Sequence, residues 1–144
     1  MKNMALLLDT NLVLDWIMKR PPFHQNAAEI VELCTRGKLR GYIAAHSILN
    51  IFYITRKDYS NKERRDLSKL LCDRFEIIEI GHKQILLALD SPSFKDLEDS
   101  LQIECAREKN IDYIITRDID GFKNSKVAVM LPSEFLTLWR ANPF

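Results

Sequence analysis

The sequence predicts an α/β fold in which helices cover both faces of a parallel central sheet. Short runs of consecutive apolar residues, typical of strands buried on both faces, alternate with segments whose apolar residues recur at helical spacing. Such alternation is typical of parallel sheets, whose strands are joined by crossover helices. The 144 residues, of which 47% are hydrophobic and 28% charged, suffice for one core. We therefore expect a single domain over residues 1–144.

In the first half of the chain, the pattern predicts three strands and three helices. The strands are expected at residues 5–8, 41–45 and 75–80, where apolar or β-branched residues run together. The first helix is expected at residues 26–36, after a double proline. Ser47 is expected to cap the second helix, which carries Asn50 in its first turn. Ser60 and Glu63 have the spacing of a capping box and open the third helix.

The second half of the chain continues the alternation. Further helices are expected at residues 83–89 and 96–109, separated by a breaker at 91–93, and strands at residues 112–116 and 127–130. A last helix is expected to start at Pro132 and Ser133, because proline is favoured in a first helical turn. In the helix at residues 96–109, three apolar residues recur at helical spacing and are expected to face the core: Leu97, Leu101 and Cys105.

The overall charge does not mark the chain as a nucleic-acid-binding protein. Its 21 basic and 20 acidic residues nearly cancel to a net charge of +1, so any binding of nucleic acid must rest on a local patch. The apolar run at residues 4–8 is too short for a signal-peptide core or a membrane span. We therefore expect a cytoplasmic protein that does not insert into membranes.

The cysteines and histidines do not predict a metal site of their own. The three cysteines, Cys34, Cys72 and Cys105, lie far apart and lack the paired spacing of zinc ligands. Each lies in a helical stretch, so all three are expected to be buried thiols. The three histidines, His24, His46 and His82, are equally scattered and are assigned no role.

Several aspartates are expected to meet at one edge of the sheet. Asp9 ends the first strand, and Asp118 follows the strand at residues 112–116. If these strands are neighbours, both carboxylates lie beyond the same carboxyl-terminal edge, where parallel sheets place their sites. Asp96 and Asp99 lie three residues apart in the first turn of the preceding helix and share one face of it. Clustered carboxylates repel one another unless cations neutralise them, which favours Mg²⁺ or Mn²⁺.

Each of these residues also has a purely structural interpretation. Asp9 could cap the next helix, and acidic residues at the start of the helix at residues 96–109 are favoured by its dipole. Asp118 could belong only to a polar turn. Independent capping residues have no reason to occur on elements that a parallel sheet brings to one edge, so the coincidence favours a shared site.

Four segments of the sequence resemble the PIN domain family, and particularly its branch of toxins from toxin–antitoxin systems. They are residues 7–11, 47–54, 96–102 and 114–118, in that order along nearly the whole chain. The resemblance implies a Rossmann-like three-layer α/β/α sandwich with Mg²⁺-dependent endoribonuclease activity on single-stranded RNA. It also implies an antitoxin partner and a homodimer, for which Trp16, Phe23 or Phe144 could serve as interface residues or equally belong to the core.

The resemblance also implies roles for individual residues. Asp9 and Asp99 would be the principal metal ligands, and Asp118 would support a metal or the attacking water. Thr116 would form a hydrogen bond near Asp9, and Asp96 would be an auxiliary acid.

Asn50 departs from the family pattern, which usually has an acidic residue at this position. An amide still offers a carbonyl oxygen, but it carries no negative charge and cannot take up a proton from water. We therefore expect a weaker metal site, unless Asp96 or Glu98 compensates. The alternative function is a catalytically weakened or inactive module that binds RNA or a partner protein.

A basic cluster around the helix that Ser60 opens is the candidate RNA contact. It comprises Lys57, Lys62, Arg64, Arg65 and Lys69. The structural alternative is a solvated helix face, which the interspersed acids favour. Tyr53 and Tyr59 could stack on unpaired bases, although Tyr53 is expected to lie in the core.

Other enzyme classes fit the sequence less well. A dehalogenase-like phosphatase would need an aspartate where Asn11 stands, and a phosphorylated receiver domain would need one where Gly81 follows its strand. A nucleotide-binding Rossmann domain would need a glycine-rich turn after the first strand, and residues 9–12 contain no glycine.

Overall fold

The computed structural model describes residues 3–92 and 94–142, and within these ranges it contains a five-stranded sheet whose paired strands are all parallel. The strands are β1 (Ala5–Leu8), β2 (Arg40–Ala44), β3 (Glu76–Ile78), β4 (Tyr113–Ile115) and β5 (Ala128–Met130), in the spatial order β3-β2-β1-β4-β5. The predicted α/β class and parallel sheet are confirmed. Two predictions fall outside the described residues: Phe144 as an interface candidate, and Ser93 as part of the breaker at residues 91–93.

Seven α-helices connect and flank these strands in the described part of the chain. They are α1 (Thr10–Ile17), α2 (His24–Thr35), α3 (Ala45–Ile54), α4 (Asn61–Arg74), α5 (His82–Leu89), α6 (Leu97–Glu108) and α7 (Pro132–Ala141). Two short 3₁₀ turns occur at Thr55–Lys57 and Ile119–Phe122. The capping box of Ser60 and Glu63 is present at the start of α4, as predicted. Of the seven α-helices in the described ranges, α1 is the one that the sequence pattern did not predict.

Each face of the sheet has its own core, because successive residues of a strand point to opposite faces. Leu6 and Leu8 of β1 pack on one side with apolar residues of α1, α2, α3 and α7. Ala5 and Leu7 pack on the other side with Cys105 and its neighbours in α6. Helix α5 in turn packs against α6. The result is the three-layer α/β/α arrangement.

Four predictions about individual residues are wrong. Ser47 does not cap α3, because β2 leads directly into a helix that starts at Ala45, and Ser47 lies buried within its first turn. Tyr53 is 62% exposed, since it lies two residues from Ile51 and therefore on the opposite side of α3 from the core. Cys72 is exposed because its neighbour Leu71 takes the inward position on α4.

Leu97 is the fourth, and it is exposed although it shares helical spacing with two core residues. It is the first residue of α6, and Leu101 and Cys105, one and two turns later, are the ones that reach the core. The first turn of α6 therefore lies at the protein surface, at the edge of the sheet. No helix in the described ranges combines the length and apolar character needed to cross a membrane.

The pairing of β1 with β4 positions the candidate site. Leu8 is in register with Ile115, and the backbone N–H of Asp9 donates to the Ile115 carbonyl at 3.0 Å. Asp9 and Thr116 are thus the first residues beyond two neighbouring parallel strands, at the carboxyl-terminal edge where α1 and the β4–β5 connection begin.

Candidate metal centre and active site

Asp9 is held by three hydrogen bonds at the junction of β1 and α1. Its Oδ1 accepts from the Thr10 backbone N–H at 2.8 Å and from Gln102 Nε2 at 2.6 Å. Its Oδ2 accepts from the Thr116 hydroxyl at 2.8 Å. Burial raises the pKa of Asp9, and these hydrogen bonds oppose that rise. The carboxylate is therefore fixed in orientation, but no cationic side chain compensates its charge in the described structure.

Thr116 links Asp9 to Asp118. Its side chain is fully buried, donates to Asp9 and accepts the backbone N–H of Asp118 at 3.0 Å. Its own backbone N–H donates to the Met130 carbonyl of β5 at 3.0 Å, which anchors it to the sheet. One hydroxyl thereby sets the positions of two of the predicted site residues.

Asp99 lies in the first turn of α6 and faces the other acids of the site. Burial is the main cause of a rise in the pKa of Asp99 to about 7. The negative charges of four neighbouring acids contribute to the same rise: Asp9, Asp96, Asp118 and Glu98. Gly121 shows where its carboxylate lies: a Cβ at this glycine would overlap Asp99 Oδ2 and would lie 3.4 Å from Asp118 Oδ2. The carboxylates of Asp99 and Asp118 therefore both face the space that the glycine leaves open.

Asp96 and Glu98 flank Asp99 but differ in their contacts. Asp96 is exposed, and its Oδ1 accepts the Asp99 backbone N–H at 3.1 Å, so it caps α6. Glu98 is half-buried, and its Oε1 accepts from the Thr10 hydroxyl at 3.2 Å. The Thr10 hydroxyl also lies 2.7 Å from Ser47 Oγ in α3. Glu98 is therefore tied to the residue next to Asp9.

These contacts place four predicted acids at one sheet edge, and comparison with known proteins identifies the family of the chain. A sequence profile of the PIN domain family matches residues 5–120. The chain belongs to the PIN domain family. The ribonuclease VapC1 of Aquifex aeolicus (strain VF5) is 23% identical to this PIN domain over 143 residues, which cover 96% of this chain and 98% of that protein.

Solved structures share the fold of this PIN domain. In the crystal structure of VapBC2 from Rickettsia felis bound to a promoter DNA fragment, one chain matches with a TM-score of 0.68 at 18% identity, covering 89% of this chain and 98% of that chain. A toxin–antitoxin complex from Klebsiella pneumoniae matches with a TM-score of 0.67 at 18% identity, again over 89% and 98%. At these identities the likeness establishes the fold.

Asn50, the residue that departs from the PIN family pattern, lies half-buried on α3. It follows Ser47 by three residues and His46 by four, so it shares their face of the helix. No hydrogen bond joins its amide to a carboxylate of the described site residues. Asn50 thus lies on the helix that borders the acids, but it does not hold any of their carboxylates in place within the described structure.

Of the basic residues predicted to contact RNA, two form contacts with other residues of the described chain and two form no ion pair there. Lys62 forms an ion pair with Asp66 at 2.7 Å, on the exposed face of α4. Arg64 donates to the Phe52 carbonyl at 2.8 Å and stacks over the Phe52 ring at 4.3 Å, so it helps to join α4 to α3. Lys57 and Arg65 are exposed and form no ion pair within the described residues.

The donor set fits a hard divalent cation in type. Among the residues that the structure describes, no three His, Cys, Asp or Glu side chains lie close enough together to hold a metal ion. The carboxylates of Asp9, Asp99 and Asp118 would therefore have to draw together around one, and those of Asp99 and Asp118 already both lie beside Gly121. Oxygen ligands of this kind select Mg²⁺ or Mn²⁺.

Three polar residues of the site were missed in the sequence. Gln102 is fully buried and donates to Asp9, while its Oε1 has no hydrogen-bond partner in the described structure. Thr10 joins Glu98 to α3, and His46 Nε2 lies 3.1 Å from the Glu98 carbonyl. Burial lowers the pKa of His46, although the negative charges of Glu98, Asp9 and Asp96 partly offset this effect. Only the position of Gln102, three residues after Asp99, could have indicated a role.

Proposed function

We propose that this PIN domain is a metal-dependent endoribonuclease that hydrolyses phosphodiester bonds in single-stranded RNA. The observation that carries the proposal is Asp9, a buried carboxylate fixed by three neutral donors beside further carboxylates, with no ion pair to a basic side chain among the described residues. A site built in this way stabilises a cation that comes from outside the chain. The similarity to ribonuclease VapC1 supports RNA as the substrate.

Asp9, Asp99 and Asp118 are the proposed ligands of Mg²⁺ or Mn²⁺. When bound, the cation supplies charge neutralisation for the scissile phosphate and lowers the pKa of a bound water. Gln102 and Thr116 keep Asp9 in one orientation, and Thr116 also fixes the backbone at Asp118. Asp96, expected as an auxiliary acid, supports the site by capping α6 and so placing the first turn that carries Asp99.

Binding of RNA is proposed along α3 and α4. Tyr53 is exposed, and the Arg56 guanidinium lies 3.8 Å from the centre of its ring, which makes a flat surface for an unpaired base. Lys57 and Arg65 are free to contact phosphates, whereas Lys62 and Arg64 would first have to leave their present partners.

The partners proposed for this chain are an antitoxin and a second copy of itself. Solved relatives with the same fold include a toxin–antitoxin complex, which supports an antitoxin and a role as the toxin of such a pair. Helix α5 leaves several large apolar side chains exposed, which supports an interface between protein chains: Ile85, Leu86, Leu87 and Leu89. A cytoplasmic location follows from an RNA substrate and remains part of the proposal.

The test is cleavage of a labelled single-stranded RNA with and without Mg²⁺ or Mn²⁺. Asp9→Asn and Asp99→Asn should each lower metal-dependent cleavage by on the order of 100-fold, because each removes a ligand charge. Asp73→Asn, the same change at an exposed position of α4, is the matched control and should cleave like the unmodified protein. Cleavage that persists in both site variants would rule out this active site.

Asn50 supports a second candidate function, a weakened or inactive PIN domain that binds RNA or a partner protein. Asn50→Asp distinguishes the two, because it restores an acid without changing the size of the side chain. If the unmodified protein and Asn50→Asp both bind metal and RNA but cut no RNA, the binding function is the better account.

A further inference from the structure

The replacement of an acid by Asn50 leaves the metal centre one carboxylate short of the usual family set. Two acids at the start of α6 could make up the missing charge, namely its N-cap Asp96 and Glu98 in its first turn. The sequence leaves this choice open, since both lie close to Asp99. The structure distinguishes them by what each carboxylate contacts.

Asp96 is already engaged as a helix cap. Its Oδ1 accepts the Asp99 backbone N–H at 3.1 Å, and the residue is exposed. Turning this carboxylate toward the cation would remove the cap from α6, at a typical cost of about 1 kcal/mol. Its position therefore favours a structural role at the start of the helix.

Glu98 reaches across from α6 to the start of α1. Its Oε1 accepts from Thr10 Oγ1 at 3.2 Å, and the Thr10 backbone N–H is one of the three donors to Asp9. Its negative charge acts on both neighbouring acids and helps to raise the pKa of Asp9 and of Asp99. Glu98 thus belongs to the same electrostatic cluster as the two principal ligands.

Helix α3 fixes Glu98 from the side where the family acid would lie. His46 Nε2 lies 3.1 Å from the Glu98 carbonyl, and Ser47 Oγ lies 2.7 Å from Thr10 Oγ1. Asn50 is one helical turn further along the same face of α3. The Glu98 carboxylate therefore lies among α1, α3 and α6, in the part of the site that an acid at position 50 would border.

A buried polar atom of the same cluster also lacks a partner. Gln102 is fully buried, one turn after Glu98 on α6, and its Oε1 forms no hydrogen bond in the described ranges. A buried amide oxygen without a donor is costly unless a cation or a water fills that need. This is a second observation, besides the carboxylates, that indicates a ligand in this region.

We propose that Glu98 is the fourth carboxylate ligand of the metal centre and takes the place of the α3 acid that this chain lacks. The inference rests on the proposed metal-dependent function. It means that the site has a full set of four negative charges, supplied by Asp9, Glu98, Asp99 and Asp118, and that Asn50 does not by itself weaken it.

The test measures Mg²⁺ and Mn²⁺ binding by titration calorimetry, without reference to cleavage. Glu98→Gln should lower the affinity at least about tenfold. Glu108→Gln, on the same helix but at its far end, is the matched control and should bind as the unmodified protein does. Adding Asn50→Asp to Glu98→Gln should recover most of the lost affinity, because it returns a carboxylate to the face of α3 that borders Glu98.

Thermal unfolding separates a ligand role from a merely structural one. Glutamine can still accept from Thr10, so Glu98→Gln should leave the metal-free melting temperature unchanged or higher, since it removes repulsion from Asp9 and Asp99. The same variant should show a smaller rise in melting temperature on adding Mg²⁺. A lower metal-free melting temperature with unchanged affinity would overturn the proposal in favour of a structural role.

The two proposals fail in different ways. If Asp9→Asn and Asp99→Asn abolish binding while Glu98→Gln binds normally, the Glu98 inference is wrong and the metal-dependent function stands. If the unmodified protein binds neither cation, both are wrong.

Discussion

Helix α1 carries two buried aspartates, one that precedes its first residue and one near its end, and the two differ in the charge of their partners. Asp15 is 1% exposed, and two guanidinium groups reach it: Arg20 Nε lies 2.9 Å and Arg117 Nε 2.8 Å from its carboxylate. Asp9 is 5% exposed, and its hydrogen-bond donors among the described residues are all neutral, with further carboxylates nearby. Among the described residues, two arginines form ion pairs with Asp15, whereas no basic side chain forms an ion pair with Asp9.

The two aspartates are also mechanically connected. Arg117, which binds Asp15, directly precedes Asp118, and its guanidinium stacks over the Phe23 ring at 4.1 Å. The ion cluster thus holds the start of the β4–β5 connection against α1, while Thr116 holds the same segment against Asp9. Two buried acids can therefore be distinguished by their partners: arginines bind Asp15, and neutral donors bind Asp9.

The largest expected effect on stability is at Asp15. Asp15→Asn should lower the free energy of unfolding by about 2–3 kcal/mol, since it leaves two partly buried guanidinium groups without their counter-ion and the two arginines remain about one-third exposed. Asp9→Asn should change it by less than about 1 kcal/mol, because the amide keeps an acceptor for Thr10 and Gln102. Urea unfolding of both variants measures the contrast.

Glu29→Gln is the control for this comparison, because Glu29 pairs with Arg140 at the surface and should contribute at most about 1 kcal/mol. Equal losses of stability in Asp15→Asn and Asp9→Asn would remove the distinction between the two acids. A larger loss in Asp9→Asn would reverse it.

Gly121 sharpens the comparison. Because this glycine has no side chain, the Asp99 carboxylate can lie against it near Asp118, whereas arginines fill the space beside Asp15. Gly121→Ala should displace the Asp99 carboxylate, which the new Cβ would overlap, and should lower Mg²⁺ affinity about tenfold. Titration calorimetry measures the change. Gly81→Ala is the control, since its Cβ would meet only the flexible Gln84 side chain at 3.3 Å, and equal affinity in the two variants would contradict the prediction.

The sequence predicted the sheet and the acids at its edge because both follow from local rules. Apolar runs mark buried strands, and the residues that follow neighbouring parallel strands must lie together. Helix α1 escaped because it has only eight residues and its buried Leu12, Val13 and Leu14 are contiguous. A short apolar run of this kind is also typical of a buried strand.

The partners of the acids could not be predicted, because they depend on contacts between distant segments. Gln102 reaches Asp9 across 93 positions, and Arg117 reaches Asp15 across 102. No spacing rule relates such pairs, so the sequence alone could not show that Asp15 is paired with arginines and Asp9 with neutral donors. The reach of Glu98 to Thr10, 88 positions away, is a third contact of this kind.

The smallest expected effect is the pH dependence of stability that Asp99 causes. Burial and the four neighbouring acids raise the pKa of Asp99 from its ordinary 3.8 to about 7, so the folded state holds a proton that the unfolded state releases at lower pH. The favourable contribution is therefore fully present below about pH 4 and is lost as the pH rises through 7. Solvent screening of this half-buried group limits it to about 1 kcal/mol.

Asp99→Asn should remove this contribution, so unfolding free energies measured from pH 4 to pH 8 should fall less steeply for the variant than for the unmodified protein. Mg²⁺ added at pH 8 should restore stability to the unmodified protein, because it replaces the lost proton as the source of positive charge. The same addition should have little effect on Asp99→Asn. Parallel pH profiles for the two proteins would show that Asp99 does not bear the repulsion assigned to it.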